Sequence, residues 1–302
     1  MISIKNTDTD FVIELDLGNV CNYKCNYCFP GANEGTVLWP DIDKIEAALL
    51  NYIKQHQRKT RLYLIGGEPT LWKHLPRLCN TLKLAHDITI CLSTNASQSM
   101  RWWIANFHCF DVVHISLHHE FSNTEHCIEV ADYLYSNNIE TNIDVLMDPN
   151  NFDACKTLVD AVCASKMPFP VIAKTVVYDG AHKYTVEQLD YVMDSIKRYP
   201  DINWYKRVQR KPRTQFSVDG VEYTDDNYLI VNDLNHFNGW KCNLGVDLVK
   251  IDRQGNVGGN CGMHLGYNIY DLPKINIEPV TCNKDVCPCS GETIITKWRE
   301  HA

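Results

Sequence analysis

The stretch "FVIELDLGNVCNYKCNYCFPG", residues 11–31, joins an alternating apolar run to a loop that holds Cys21, Cys25 and Cys28 within eight residues. The run 11–17 reads as a β-strand. The three cysteines stand at i, i+4 and i+7, which on a helix would share one face. Gly18, Asn19, Asn22, Asn26, Pro30 and Gly31 surround them, however, so the segment reads as a loop with its thiols gathered on purpose.

The same strand-then-loop unit recurs downstream. Strands are expected at 61–67, 87–95, 111–119, 140–147 and 169–179. Helices are expected at 40–55, 71–84, 98–107, 124–136, 153–165 and 185–199. Six strands alternating with six helices predict parallel βα units, which right-handed crossovers wind into a barrel or open barrel. In such folds ligands sit at the C-terminal ends of the strands. The marked residues fall there: the cysteine loop after the first strand, Gly66-Gly67 after the second, Ser93-Thr94-Asn95 after the third, Ser116 and His118 at the fourth.

After Pro200 the texture changes. "RTQFSVDGVEYTD" (213–225) places Asp219-Gly220 between alternating apolar positions, a hairpin signal. A second hairpin is expected over 246–259, turning at 252–255. The chain thus reads as residues 1–200, a barrel, followed by residues 201–302, a smaller β-rich unit with cysteines. Only some ten residues precede the first strand, too few for an N-terminal peptide-recognition domain.

Composition limits the function classes. The chain of 302 residues is 45% apolar, with no apolar run long enough to span a membrane and no start resembling a signal peptide. A cytoplasmic protein is expected. The net charge of −8 argues against a general nucleic-acid binder. The basic run 206–213, "KRVQRKPR", reads as a solvated loop or as an anion or acidic-peptide contact.

Fourteen cysteines are too sparse here for a disulfide scaffold. Cys79, Cys91, Cys109, Cys127, Cys155 and Cys163 lie singly, mostly in apolar segments, and read as small buried hydrophobes. The N-terminal trio and a looser group, Cys242, Cys261, Cys282, Cys287 and Cys289, read as metal or iron–sulfur ligands. Structural zinc takes four ligands, and no fourth cysteine stands near the trio. A four-iron cluster held by three thiolates keeps one iron open to another ligand. The alternative is zinc closed by a distant histidine.

"CNYKCNYC" after the first strand resembles the signature of the radical S-adenosylmethionine (SAM) enzymes, and the likeness in layout runs from about residue 12 to 178. The resemblance implies a partial (β/α)6 TIM-like barrel. It implies that Cys21, Cys25 and Cys28 hold a [4Fe-4S] cluster whose open iron chelates SAM. Tyr27, before the third cysteine, would lie by the adenine. "GGEP", Gly66, Gly67, Glu68 and Pro69, matches the family's glycine motif, whose backbone can approach the methionine part because it lacks a Cβ. Ser93 and Asn95 match a strand end that contacts SAM, and Ser116 and His118 a position near its ribose or methionine. His108, His114, His119 and His126 match nothing specific and read as core or surface residues.

"WKCNLGVDLVKIDRQGNVGGNCG" (240–262) resembles the start of the twitch or SPASM extension, a C-terminal domain with auxiliary iron–sulfur clusters, through Cys242, Gly255 and Cys261. The gap from Gly255 to Cys261 is one residue longer than usual. "LGYNIYD" (265–271) resembles the segment that follows. Cys282, Cys287 and Cys289 then supply five candidates in all, one more than a single four-ligand cluster needs, so one auxiliary cluster is expected, with structural zinc as the alternative.

The resemblance implies a radical SAM oxidoreductase. The reduced cluster cleaves SAM to methionine and a 5′-deoxyadenosyl radical, which abstracts a substrate hydrogen. An electron donor such as flavodoxin or ferredoxin is implied, and a small molecule or a peptide as substrate. An auxiliary cluster favours net oxidation. The alternative from another class is a non-enzymatic zinc-binding module that touches RNA through 206–213.

Overall fold

The computed structural model describes residues 2–6, 10–176, 184–196, 214–223, 227–271, 275, 277–287 and 295–299. The basic run 206–213 and Cys289 lie outside them. Among the described residues no helix is long and apolar enough to cross a membrane.

The chain opens with β1 (Ile2–Asn6), then enters a series of parallel strands: β2 (Phe11–Asp16), β3 (Thr60–Ile65), β4 (Ile88–Thr94), β5 (Val112–Leu117), β6 (Glu140–Met147) and β7 (Val171–Thr175). Between and after them run α1 (Ile42–His56), α2 (Leu75–Ala85), α3 (Met100–Asn106), α4 (Thr124–Ser136), α5 (Phe152–Ala164) and α6 (Val186–Ile196). This is the expected alternation of six strands and six helices.

The strands are two-faced. Phe11, Ile13 and Leu15 on β2, Leu62 and Leu64 on β3, and Val113, Ile115 and Leu117 on β5 point one way and are buried in a single core with the helices. Each such side chain contributes on the order of 1.5–3 kcal/mol when fully buried. Helix α1 starts at Asp41, whose carboxylate accepts from Lys44 N–H at 3.0 Å, and buries Ile45, Leu49, Tyr52 and Ile53 on one stripe. Because successive strand residues alternate in direction, the opposite face carries Glu14, Asp16, Tyr63, Ser93, His114, Ser116, Asn142, Asp144 and Lys174. A closed barrel fills that face with Val, Ile and Leu layers. Here it is polar, and Asn142 and Lys174 both donate to the buried Asp144, at 2.6 and 2.7 Å.

The later strands are β8 (Thr214–Val218), β9 (Val221–Tyr223), β10 (Lys241–Cys242), β11 (Leu248–Ile251), β12 (Asn256–Gly258), β13 (His264–Asn268), β14 (Val280–Thr281) and β15 (Lys297–Trp298), with α7 (Asn227–Val231) among them. Both expected hairpins form. Asp219 and Gly220 take positive φ between β8 and β9, the primed-turn geometry. Gly255 closes β11 onto β12 with φ 86°, and a Cβ there would strike the Tyr270 ring at 2.5 Å.

Two features of the topology are not expected from the sequence. β11 pairs in parallel with β2, so β11, β12 and β13 extend the barrel sheet into nine strands. β1 pairs with β8 and β15 in a second, six-stranded sheet. Ile4 therefore packs with Phe216, Leu229, Phe237 and Trp240. Cys163 departs from the expected burial. It is exposed, because the buried stripe of α5 ends at Val162, one residue and about 100° away.

His56 illustrates the price of the core. Its ring stacks on Phe11 at 3.6 Å, neither nitrogen has a hydrogen-bond partner, and burial followed by the Arg58 charge lowers its pKa to about 4. It is neutral in the fold, whereas the unfolded chain protonates it near 6.5. Stability should fall as pH drops from about 6.5 towards 4 and should be flat with respect to this group above that window. Urea melts at several pH values, with His56→Leu flattening part of the slope, check this.

Candidate metal and cofactor site

The loop after β2 is stitched before any ligand arrives. Asn19, almost fully buried, donates through Nδ2 to the Gly31 carbonyl (2.7 Å) and Thr36 Oγ1 (2.9 Å), while its Oδ1 accepts from Val37 N–H at 2.7 Å. Its carbonyl accepts from Gly35 N–H. The loop therefore returns on itself and presents Cys21, Cys25 and Cys28 together. Cys25 is buried and the other two are half-buried. Burial pushes all three thiols up, Cys25 to about 12, and Cys25 is raised further by Glu120, Cys28 and Cys21.

Such thiols ionise when a metal takes their protons, and three of them without a fourth suit a cluster with an open iron. Among the described residues no three His, Cys, Asp or Glu side chains converge as they would on a single ion. A multi-iron cluster binds each thiolate at a different corner, so its ligands do not meet at one point.

Gly66 and Gly67 sit directly beneath the loop with φ 94° and 44°. A Cβ on Gly66 would lie 2.1 Å from Asp16 Oδ1, and one on Gly67 would lie 2.3 Å from the Val20 carbonyl oxygen. The glycines are thus required by the cysteine loop itself, whose atoms stand where a Cβ would have to lie. Glu68 N–H donates to the Val20 carbonyl at 2.8 Å, tying the two segments.

Glu68 is fully buried. Its carboxylate accepts from Thr70 N–H (3.0 Å), Thr70 Oγ1 (2.6 Å), Thr94 Oγ1 (2.7 Å) and Asn95 N–H (2.6 Å). Burial pushes this carboxyl up and the four donors pull it back. With the carboxylate so engaged, Gly66–Glu68 can offer a ligand only backbone. Asn95 continues the chain of contacts: its Nδ2 donates to Asn22 Oδ1 at 3.0 Å and points to Cys21 Sγ at 4.0 Å. Ser93 and Ser116 are half-buried on the polar face, paired across strands with His114 and Asp144.

Tyr27 is buried between two imidazoles. Its hydroxyl lies 3.0 Å from His118 Nδ1, and its ring stacks on His118 and His119 at 5.9 and 5.4 Å. Burial, then the neighbouring His119, lowers His118 to about 4, so this imidazole is neutral. His119, read from sequence as a core or surface residue, belongs to the wall of the site. Its Nε2 lies 3.8 Å from Asp148 and its Nδ1 3.7 Å from Cys155 Sγ. Glu120 accepts from Asn26 N–H at 2.9 Å and Asn26 Nδ2 at 2.7 Å, which fastens the loop to the end of β5. Asp16, Glu120 and Arg253 belong to no motif, and their contacts with the loop arise only in the fold.

At the other end of the chain, Cys242, Cys261, Cys282 and Cys287 line one small cleft together with Lys284 and Lys297. β10 sets Cys242 between β14 and β15, opposite Val280 and Lys297. Cys282 N–H donates to the Trp240 carbonyl (2.8 Å) and Cys287 N–H to the Asn235 carbonyl (2.9 Å).

Comparisons with known proteins agree with this geometry. Over 93 residues the chain is 34% identical to the "S-adenosylmethionine-dependent nucleotide dehydratase" of Fibrobacter sp. (strain UWH6), which covers 28% of this chain and 27% of that protein. It therefore spans about a quarter of that relative's length. Among solved structures, anSMEcpe with bound AdoMet superposes with a TM-score of 0.59 at 14% identity, covering 87% of this chain and 78% of that one. Streptococcus suis SuiB bound to precursor peptide SuiA gives 0.57 at 15% identity, covering 88% and 65%. Both show a shared fold. Residues 15–151 match the family described as the radical SAM superfamily. That segment contains the cysteine loop, Gly66–Glu68, Asn95 and the Tyr27–His118 pair, and over it this chain is similar to the radical SAM superfamily.

Proposed function

We propose that the chain is a radical SAM enzyme carrying out an oxidative modification of a small molecule or peptide. The observation that carries this reading is the three-cysteine loop, closed on itself and seated on Gly66 and Gly67 at the mouth of a polar strand face. When bound, a [4Fe-4S] cluster with SAM supplies the 5′-deoxyadenosyl radical that abstracts a substrate hydrogen. Cys21, Cys25 and Cys28 would hold the cluster. Tyr27, the backbone of Gly66–Glu68, Ser93, Asn95, Ser116 and His118 would hold SAM. The protein's part is to position these groups and keep water from the radical. His118 and Tyr27 fix each other's orientation, and the Glu68 contacts hold the ends of β3 and β4 at one level.

The division into residues 1–200 and 201–302 belongs to the same proposal, as does a twitch-like auxiliary cluster on Cys242, Cys261, Cys282 and Cys287. Four thiols around one cleft are a complete ligand set for a four-iron cluster. A cluster so placed can accept the electron that net oxidation releases, and flavodoxin or ferredoxin would serve as the external donor. Both substrate classes have precedent by name among the relatives, a nucleotide dehydratase and a peptide-bound protein.

Anaerobic reconstitution tests the reading. About eight irons and eight sulfides per chain are expected for two four-iron clusters, falling to about four when Cys242 and Cys282 are both changed to alanine. Four in the parent protein would remove the auxiliary cluster. None would remove the function.

A further inference from the structure

Arg253 stands in the turn between β11 and β12 and reaches out of the C-terminal hairpin into the loop after β2. Its Nε donates to Asp16 Oδ2 at 3.0 Å and its Nη1 to the Gly31 carbonyl at 3.1 Å. These acceptors flank the ligand loop. Asp16 ends β2, and its other oxygen accepts from Gly18 N–H at 3.2 Å. That same oxygen is the atom against which Gly66 packs. Gly31 follows Cys28 by three residues, and its carbonyl also takes the Asn19 bond. Arg253 and Asp16 are both largely buried, and a buried carboxylate needs a partner of this kind. The planar guanidinium can serve two acceptors at fixed spacing, which an ammonium cannot.

We propose that Arg253 is a positioning residue for the N-terminal cysteine loop: from the C-terminal hairpin it clamps both ends of the loop and holds a fixed positive charge against them. The clamp stands on the contacts above. The charge effect rests on the reading of the three cysteines as cluster ligands. A cluster's potential follows the net charge around it, so a permanent cation nearby makes the added electron easier to hold.

The test has two arms, both on the full chain. In the metal-free protein, hydrogen exchange across residues 18–35 should quicken at least about tenfold in Arg253→Met, since the loop opens locally once the clamp is gone. Exchange in β4 and α4 should not change, which shows that the variant is folded. Arg253→Lys should recover little of the protection, because it cannot span both acceptors. In protein loaded with iron and sulfide and carrying Cys242→Ala and Cys282→Ala, the reduction potential of the remaining cluster should drop in Arg253→Met. At the potential that half-reduces the parent, the reduced-to-oxidised ratio should fall about tenfold, or 59 mV for one electron. Arg253→Lys should keep most of that potential. Unchanged exchange in the loop overturns the clamp whether or not iron binds. Faster exchange with an unchanged potential overturns the charge effect. A parent that takes up no iron overturns the proposed function, and the exchange arm still decides the clamp.

Discussion

Cys25→Ala should abolish reductive cleavage of SAM to 5′-deoxyadenosine. Cys25 is the most deeply buried of the three loop thiols, and its backbone is fixed from both sides. Its carbonyl accepts from Cys28 N–H at 3.1 Å and from Asn33 Nδ2 at 3.4 Å. Two remaining thiolates cannot hold a four-iron cluster with one open iron, so the reactive form is lost rather than weakened. The measurement is 5′-deoxyadenosine released under dithionite, with wild-type and variant reconstituted side by side. A fall of at least about 1,000-fold is expected, on the order of 4 kcal/mol of barrier. Iron content should drop by about four per chain, while the four late cysteines keep theirs. Cleavage at the wild-type rate would mean that the loop is not the SAM site.

Glu68→Ala should cost more stability than any other single change at the site, on the order of 4 kcal/mol or more. The substitution strips the acceptor from two buried backbone N–H groups, Thr70 and Asn95, each costing about 1–3 kcal/mol when left unsatisfied. It also opens a cavity beneath the cysteine loop. The Thr70 and Thr94 hydroxyls can turn and recover part of the loss. Glu68→Gln keeps the shape but sets an amide N–H₂ among donors, so it should fall between the two. Folded domains have roughly 5–15 kcal/mol in all, so the alanine variant should be mostly unfolded at modest urea concentrations. A shift in unfolding free energy under about 1 kcal/mol would show that the four short contacts do not hold the strand ends.

Much of this architecture can be read in the residues, for definite reasons. The alternation of period-two runs with helical stripes repeats six times over residues 11–196, and each unit carries its own caps and turns, as at Asp41 before α1 and Asn123 before α4. The hairpins are written in Asp219-Gly220 and in the residues around Gly255. The misses share one cause: their partners are distant in sequence. Ile2–Asn6 is five residues without a marked pattern and becomes a strand only because β8 and β15 offer edges. Arg253 looks like an ordinary polar turn residue until β11 pairs with β2 and aims the turn at Asp16. The Glu68 carboxylate faces Thr94 and Asn95, a juxtaposition that exists only once β3 and β4 lie side by side. His119 needed Tyr27, from a loop some ninety residues earlier, to become part of the site.

The pairing of β2 with β11 also sets an order of events in the cell. Asp16 and Arg253 are 237 positions apart, so the cysteine loop leaves the ribosome long before the side chain that clamps it. Contacts of such separation form late, after the loop-closure entropy between them has been overcome. During synthesis the three thiols therefore belong to an unfinished sheet edge, at which β11 is still missing. Delivery of iron and sulfide is best matched to the complete chain, and a maturation factor that met the nascent protein would meet a loop without its clamp. The β11–β12 hairpin, made late in synthesis, is thus the latch that tells a finished site from an unfinished one.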